Sequence, residues 1–304
     1  MKTKILQTLM GLAVAITALT ACDNNEDNYA KANNTNANKA TAGVAAEVTR
    51  MEFPKLSGSK GDTVIVHKVN GFGRDGINYS IEWDCKDKAQ RWTCYQMHNG
   101  NSAENWKRND WTDTSWKGDP FQEDTSIPKQ YRTTLADYRN SGYDRGHICP
   151  SADRLYSKDV NEQTFYMSNM HPQLHAFNAG IWDNMENQVR AWNVNEFRDT
   201  LFVCKGGTIN ASLKQVKTHT KSGLIVPKYF FMAILCKKNG KYKAIAFWAT
   251  HTDTKSSDKK PYDYTLSIDE LEKKTGIDFF CNLPDNIENE VEMTADRSSW
   301  SWLK

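Results

Sequence analysis

The chain has 304 residues, and its 39 lysines and arginines stand against 37 aspartates and glutamates, a formal net charge of +2. This balance excludes a protein that coats nucleic acid through an overall basic surface, but it is compatible with a local basic cleft. The length suits one large domain, because neither an internal repeat nor a second linker interrupts the sequence after its N-terminal segments.

Residues 1–21 have the pattern of an export signal. Lys2 and Lys4 precede a mostly apolar run at 5–19, which is too short and too close to the N-terminus for a comfortable membrane-spanning helix. Leu19-Thr20-Ala21-Cys22 resembles a bacterial lipobox, whose cysteine becomes the lipidated first residue. Two destinations remain open: a membrane-anchored lipoprotein of the outer membrane or cell surface, attached through Cys22, or ordinary secretion after cleavage near Ala21.

Residues 22–49 are predicted to form a flexible tether. The stretch 23–42 is rich in asparagine, alanine and threonine, and Tyr29 is its only large apolar residue. Such a segment buries too little surface to offset its loss of conformational entropy on ordering. The predicted organisation is therefore a signal peptide at 1–21, a tether at 22–49 and one folded domain at 50–304.

Alternating and aromatic-rich runs predict strands, and helical spacing with end signals predicts helices. Asn239-Gly240 lies between two apolar runs and predicts a tight hairpin, whereas Ser267 and Gly276 mark the start and end of a helix. The predicted fold is α+β, with a mixed, mainly antiparallel central sheet flanked by helices. The predicted strands are 63–69, 78–83, 91–97, 200–207, 228–236 and 243–250, and the predicted helices are 134–138, 159–166, 178–194 and 267–276.

Cysteine usage predicts disulfide bonds. If Cys22 carries lipid, an even number of cysteines remains in an exported protein, with the pairing undetermined. Cys85 and Cys94 are close enough in sequence to close a local loop. A zinc site is disfavoured, because the chain has no Cys-x-x-Cys spacing and its His171-x-x-x-His175 pair contains a proline. The six remaining cysteines are Cys85, Cys94, Cys149, Cys204, Cys236 and Cys281.

The segment Asp144-Arg145-Gly146-His147 is the most informative motif, and a predicted helix carrying Asn178, Glu186 and Arg190 follows it. A histidine can accept a proton, arginines can grip a phosphate, and amide or carboxylate oxygens can hold a hard cation. Hydrolysis of a phosphodiester needs these three capacities. The combination predicts a metal-dependent nuclease.

At this motif the chain resembles the DNA/RNA non-specific endonuclease family, whose site is a ββα-metal motif. The resemblance extends over roughly 63–303 and implies the same fold, activity and dependence on a divalent cation. Four ordered matches carry it: Asp144–His147 with Pro150, Ser168–Gln173, Phe177–Glu186, and Thr275–Phe280 followed by Leu283-Pro284.

The resemblance implies a role for each site residue. His147 is the expected general base, because a neutral imidazole can take a proton from water near physiological pH. Asn178 is the expected ligand of Mg²⁺ through its carbonyl oxygen, with Mn²⁺ or another divalent cation as an alternative. Glu186 is expected to hold the metal through water or to orient Arg190. Arg145 and Arg190 are expected to neutralise the phosphate.

Other residues have less definite expectations. Asp144 is expected to brace the motif, and Asn169 to position a loop or His147. In place of a family arginine this chain has Thr114-Ser115, and Arg108 is the candidate substitute. No role is assigned to His171. The alternatives remain a structural role for His147, a helix-capping role for Asn178 and a surface ion pair for Glu186.

The predicted function is hydrolysis of DNA and RNA by an exported, Mg²⁺-dependent, non-specific endonuclease. Every expected contact goes to phosphate or metal instead of base edges, which is consistent with a lack of sequence preference. The alternative is a non-catalytic surface protein that binds extracellular nucleic acid. The oligomeric state is not predicted.

Overall fold

A seven-stranded antiparallel sheet forms the centre of the molecule, in the strand order β1-β2-β3-β6-β9-β10-β11. The computed structural model describes residues 34–113, 118–254 and 260–303. The strands are β1 (Asp62–Lys68), β2 (Ile77–Asp84), β3 (Ala89–Met97), β4 (Asp144–His147), β5 (Met170–Gln173), β6 (Thr200–Gly207), β7 (Val216–His219), β8 (Ile225–Pro227), β9 (Tyr229–Lys238), β10 (Lys241–Thr250) and β11 (Thr265–Leu266).

Helices cover both faces of this sheet. They are α1 (Leu135–Tyr138), α2 (Lys158–Gln163), α3 (His175–Phe177), α4 (Asp183–Trp192), α5 (Ile268–Thr275) and α6 (Asp285–Glu292), and a π-helical turn (Asn178–Trp182) joins α3 to α4. The predicted α+β fold, with an antiparallel sheet between helices, is confirmed. In the part of the chain that the structure describes, no helix is long and apolar enough to cross a membrane.

The side chains of β6 point alternately into two hydrophobic cores, one on each face of the sheet. Leu201 and Val203 face a core that contains the apolar side of α4, whereas Phe202 and Cys204 face a second core shared with α5 and α6. Successive side chains of a strand point to opposite faces, so a strand buried on both sides contributes to both cores. The sheet therefore separates α4 from the α5–α6 layer.

The strongest local sequence signals are confirmed. Asn239 and Gly240 have φ angles of 49° and 74°, the two positive values that a tight two-residue hairpin requires. The Ser267 side chain accepts a hydrogen bond from the Glu270 amide at the start of α5, and Gly276 ends the helix with φ 71°. The short β7–β8 hairpin and α6 were not predicted.

The six cysteines in the part of the chain that the structure describes are free thiols, and the predicted disulfide-closed loop between Cys85 and Cys94 does not form. The strand register explains the separation of these two residues. Cys85 follows Asp84, which pairs with Ala89, whereas Cys94 pairs with Ser80 on one side and with Cys204 on the other. Counting the cysteines could not reveal this arrangement.

The predicted tether ends too late in the sequence. Asn38 is 6% exposed, and its side-chain amide donates to the carbonyls of Val48 and Pro54 at 3.1 and 2.8 Å. Its backbone N–H donates to the Asn282 side chain, and Val48 is fully buried in the second core. Residues 34–49 are therefore part of the domain, whereas the predicted signal peptide, Cys22 and the rest of the tether lie outside the described residues.

Two N-terminal deletions should therefore differ in their effect on the melting temperature. Removing residues 1–33 should leave the melting temperature of the domain unchanged. Removing residues 1–49 should lower it by on the order of 5 °C, because the domain loses buried Val48 and the hydrogen bonds of Asn38. Calorimetry on both proteins checks this, and equal melting temperatures would show that residues 34–49 contribute nothing to stability.

Candidate active site

β4, β5 and the following helical segment form a ββα unit. Arg145 pairs with Pro172, Gly146 with His171, and His147 with Met170 in an antiparallel ladder. Gly146 permits this close packing, because a Cβ at that position would overlap the Gln173 side chain. The predicted motif is therefore a strand whose central glycine allows the second strand to approach and fixes the position of His147.

The helical segment differs from the regular helix predicted at 178–194. It begins at His175 and contains the π-helical turn, in which Gly180 has non-helical angles of φ −118° and ψ −113°. Asn178 is the first residue of that turn and lies at the C-terminal end of α3, so it does not cap the start of the helical segment. Asn178 and Glu186 both line one cavity.

Asp144 connects the first strand to Asn178. The Asn178 amide nitrogen donates to Asp144 Oδ2 at 2.9 Å, and His175 Nδ1 lies 2.9 Å from the same oxygen. An amide held through its nitrogen leaves its carbonyl oxygen available, and no described residue donates to Asn178 Oδ1. The expected bracing role of Asp144 thus corresponds to a specific contact, its hydrogen bond with Asn178.

His147 lies against the rings of Phe121 and Phe165, with centroids 5.5 and 5.0 Å away. Burial lowers the pKa of His147 to about 3, and the nearby positive charges of Arg108 and Arg145 act in the same direction. The imidazole is therefore neutral at physiological pH. Nε2 is buried without a hydrogen-bond partner among the described residues, which leaves Nδ1 to face the cavity.

The arginines form a basic rim beside this histidine. The Arg145 guanidinium lies 3.7 Å above the Phe121 ring, and that of Arg108 lies 5.3 Å from the Phe165 ring. Both residues line a 490 Å³ cavity with His147. They also line an adjoining 630 Å³ cleft, so that the two spaces form a continuous basic groove. The structure thus places Arg108 where it can substitute for the absent family arginine.

Glu186 lies in the wall of the cavity and is buried. Its Oε1 is 3.3 Å from Nζ of Lys205, a fully buried lysine on β6. Burial raises the pKa of Glu186 to about 7, although Lys205 and Arg190 oppose this shift. A surface ion pair is thus excluded for Glu186. Its partner is the buried Lys205, which lies outside the motif and helix predicted from the sequence.

Arg190 is oriented by Asp153 instead of Glu186. Arg190 Nη1 lies 2.9 Å from Asp153 Oδ1, and the Tyr95 hydroxyl donates to Asp153 Oδ2 at 2.7 Å. The Arg190 side chain is partly exposed to the cavity, whereas the Asp153 carboxylate is buried. This arrangement holds the Arg190 guanidinium at the cavity wall, where it can bind an anion.

Asn169 and His171 are placed in the protein interior. Asn169 is fully buried, bonds both the N–H and the carbonyl of Cys149 at 2.8 Å and donates to the Thr164 carbonyl. It therefore fixes the chain two residues after His147 and does not line the cavity. His171 is 1% exposed and packs against Phe230, with its pKa lowered to about 3 by burial.

The residues present fit a single divalent cation with few protein ligands. Asn178 offers a free carbonyl oxygen at a basic cavity, and Glu186 stands in the same wall. Within the described ranges, no group of three histidine, cysteine or acidic ligands occurs at this cavity. Mg²⁺ retains several waters in such sites, so one direct ligand is chemically sufficient.

The fold and site define a ββα-metal type of nuclease, and comparisons with known proteins agree. A family described as DNA/RNA non-specific endonuclease matches residues 61–286. The chain therefore belongs to the DNA/RNA non-specific endonuclease family and is a nuclease.

Individual relatives support the same conclusion. Nuclease C1 of Cunninghamella echinulata var. echinulata is 30% identical over 227 residues, covering 70% of this chain and 85% of that protein. A nuclease of Nostoc sp. is 30% identical over 223 residues, covering 72% and 76%. The solved EndoG/EndoGI complex matches the fold with a TM-score of 0.61 and 20% identity, covering 82% of this chain and 96% of that one.

The buried Lys205–Glu186 pair leads to a stability prediction. Lys205→Met should lower the free energy of unfolding by roughly 3–5 kcal/mol, because Glu186 loses its buried counter-charge. Adding Glu186→Gln in the same chain should restore most of the loss, and denaturant unfolding of both single variants and the double variant measures the coupling. Additive losses in the double variant would show that the two charges do not interact.

Proposed function

We propose that this protein cleaves DNA and RNA internally, with Mg²⁺ held at Asn178 and His147 as general base. The observation that carries the proposal is the convergence of a neutral imidazole, an amide with a free carbonyl oxygen and three arginines on one cavity. Mn²⁺ or another divalent cation is the alternative ligand for Asn178.

The chemistry follows from the positions of the side chains. His147, neutral before substrate binds, accepts a proton at its cavity-facing nitrogen from the water that attacks phosphorus. The divalent cation, when bound, supplies positive charge beside the phosphate and the departing oxygen. Glu186, in the cavity wall, would help to hold the cation through water. Trp182 Nε1 donates to the His147 carbonyl at 3.1 Å and so holds the backbone of the base in place.

The arginines are proposed to bind the charged phosphates and not the bases of the nucleic acid. Arg145, Arg108 and Arg190 line the cavity, and the planar N–H donors of a guanidinium match the geometry of phosphate oxygens. Charge on these oxygens is stabilised best by donors that are already in position. Because the proposed contacts reach phosphate and not base edges, DNA and RNA of any sequence are expected as substrates.

A non-catalytic protein that binds nucleic acid is the competing function. It would need the basic groove but neither a base nor a metal ligand. Both His147 and Asn178 are present at the groove, and Asp144 orients the ligand by a direct hydrogen bond. These features favour a catalyst.

Two substitutions test the mechanism. His147→Ala should lower turnover by on the order of 10²–10⁴, the usual contribution of general-base catalysis. Asn178→Ala should abolish activity at ordinary Mg²⁺ concentrations or demand far more Mg²⁺, because no second direct ligand is proposed. Cleavage of plasmid DNA and of RNA, with and without EDTA, measures both effects.

The matched control for the histidine is His219→Ala, since His219 is exposed on β7 and does not line the cavity. This variant should cleave like the wild type. Full activity in a folded His147→Ala protein, or cleavage by the wild type in excess EDTA, would contradict the mechanism. Tight nucleic-acid binding without any cleavage would favour the competing function.

We further propose that the nuclease is exported and anchored through a lipid on Cys22. The support is the sequence pattern of residues 1–22 and the start of the ordered domain by residue 34. Cys22→Ser should move the active enzyme from the membrane fraction to the soluble fraction. Identical fractionation of both proteins would favour ordinary secretion.

A further inference from the structure

Three carboxylates converge on the sheet face opposite the nuclease cavity. Asp269 and Glu272 lie one turn apart on α5, and Glu292 ends α6. One carboxylate oxygen from each of them lies within 4.8 Å of the others. The two helices pack on the second core, so the sheet separates this cluster from Asn178.

One of the three side chains is buried without a partner. Glu292 is 6% exposed, and its Oε1 is inaccessible to water and has no hydrogen-bond partner among the described residues. Glu272 is held in place differently, because its Oε1 accepts the Phe279 N–H at 2.7 Å. A buried, unpaired carboxylate oxygen is costly, and it points to a ligand that satisfies it.

The charges around the cluster also favour a cation. The charged groups that act most strongly on Glu292 are Glu272, Glu288, Asp278 and Asp269, and all of them are acidic. The positive charge of Lys55 acts on Asp278 and Glu288, which are not among the three converging carboxylates. Like charges in a poorly solvated site repel unless a proton or a cation intervenes.

We propose that Asp269, Glu272 and Glu292 bind a structural Ca²⁺ ion that ties α5 to α6. The all-oxygen donor set suits a hard cation and disfavours zinc. Ca²⁺ accepts several carboxylate ligands in a flexible geometry, whereas Mg²⁺ demands near-ideal octahedral geometry and usually retains several waters, so a cluster of three carboxylates suits Ca²⁺ better. This proposal is independent of the nuclease mechanism.

Binding there would stabilise more than the two helices. The Asn36 amide donates to Glu288 Oε1 at 2.9 Å and to Asp278 Oδ2 at 3.2 Å, next to the cluster. An ion that fixes α6 against α5 therefore also fixes the surface on which residues 34–38 pack. The effect of the ion should appear in the stability of the whole domain.

Thermal unfolding of the full chain after EDTA treatment and dialysis tests the proposal. Added millimolar Ca²⁺ should raise the melting temperature of the wild type by on the order of 5 °C. The same rise should occur in Asn178→Ala, which removes the proposed catalytic ligand. It should be absent in Glu292→Gln, whose fold is checked by an unchanged or higher melting temperature in EDTA. Calorimetric titration should find one Ca²⁺ site fewer in Glu292→Gln.

Three results would overturn the proposal. The first is no response of the wild type to Ca²⁺, even if its stability increases on acidification, because the cluster then holds a proton instead of an ion. The second is an undiminished response in Glu292→Gln. The third is loss of the response in Asn178→Ala, which would assign the bound Ca²⁺ to the nuclease cavity.

Discussion

The hydrogen bond from the Asn178 amide to the Asp144 carboxylate joins the two parts of the active site. Asp144 begins the strand that ends in His147, and Asn178 lies where the helical segment changes from α to π geometry. The distance between the proposed base and the proposed metal ligand therefore depends on this contact. Asn169 secures the other end of the strand through the Cys149 backbone, so His147 is fixed from both sides of the chain.

Features that depend on neighbouring residues could be predicted from the sequence. The Asn239-Gly240 turn and the capped helix after Ser267 are set by local backbone chemistry, and both form as expected. Short motifs likewise single out His147 and Asn178 as candidates from residue type and spacing, and the structure brings both residues to one cavity. The interruption at Gly180 escaped prediction, since Ile181, Met185 and Val189 recur every four residues, a spacing that an uninterrupted α-helix also fits.

Features that depend on contacts between distant residues could not be predicted. Lys205 reaches Glu186 only because β6 passes beneath α4, and nothing in its local sequence marks it as a buried ion-pair partner. Asp153, which holds Arg190, follows the motif but has no distinctive spacing. The tether boundary was misplaced for a related reason. Asparagine-rich composition indicates disorder on average, yet the buried side-chain amide of Asn38 donates hydrogen bonds to the backbone carbonyls of Val48 and Pro54.

The arginines beside His147 have a consequence for the order of events in a catalytic cycle. In the free protein burial is the main cause of the lowered pKa of the imidazole, and the positive charge of the arginines acts in the same direction. An anion that enters the groove cancels part of that charge and raises the proton affinity of the ring. The arrival of the nucleic acid backbone would thus strengthen the proposed base. The basicity of His147 is in this view a property of the enzyme–substrate complex and not of the empty enzyme.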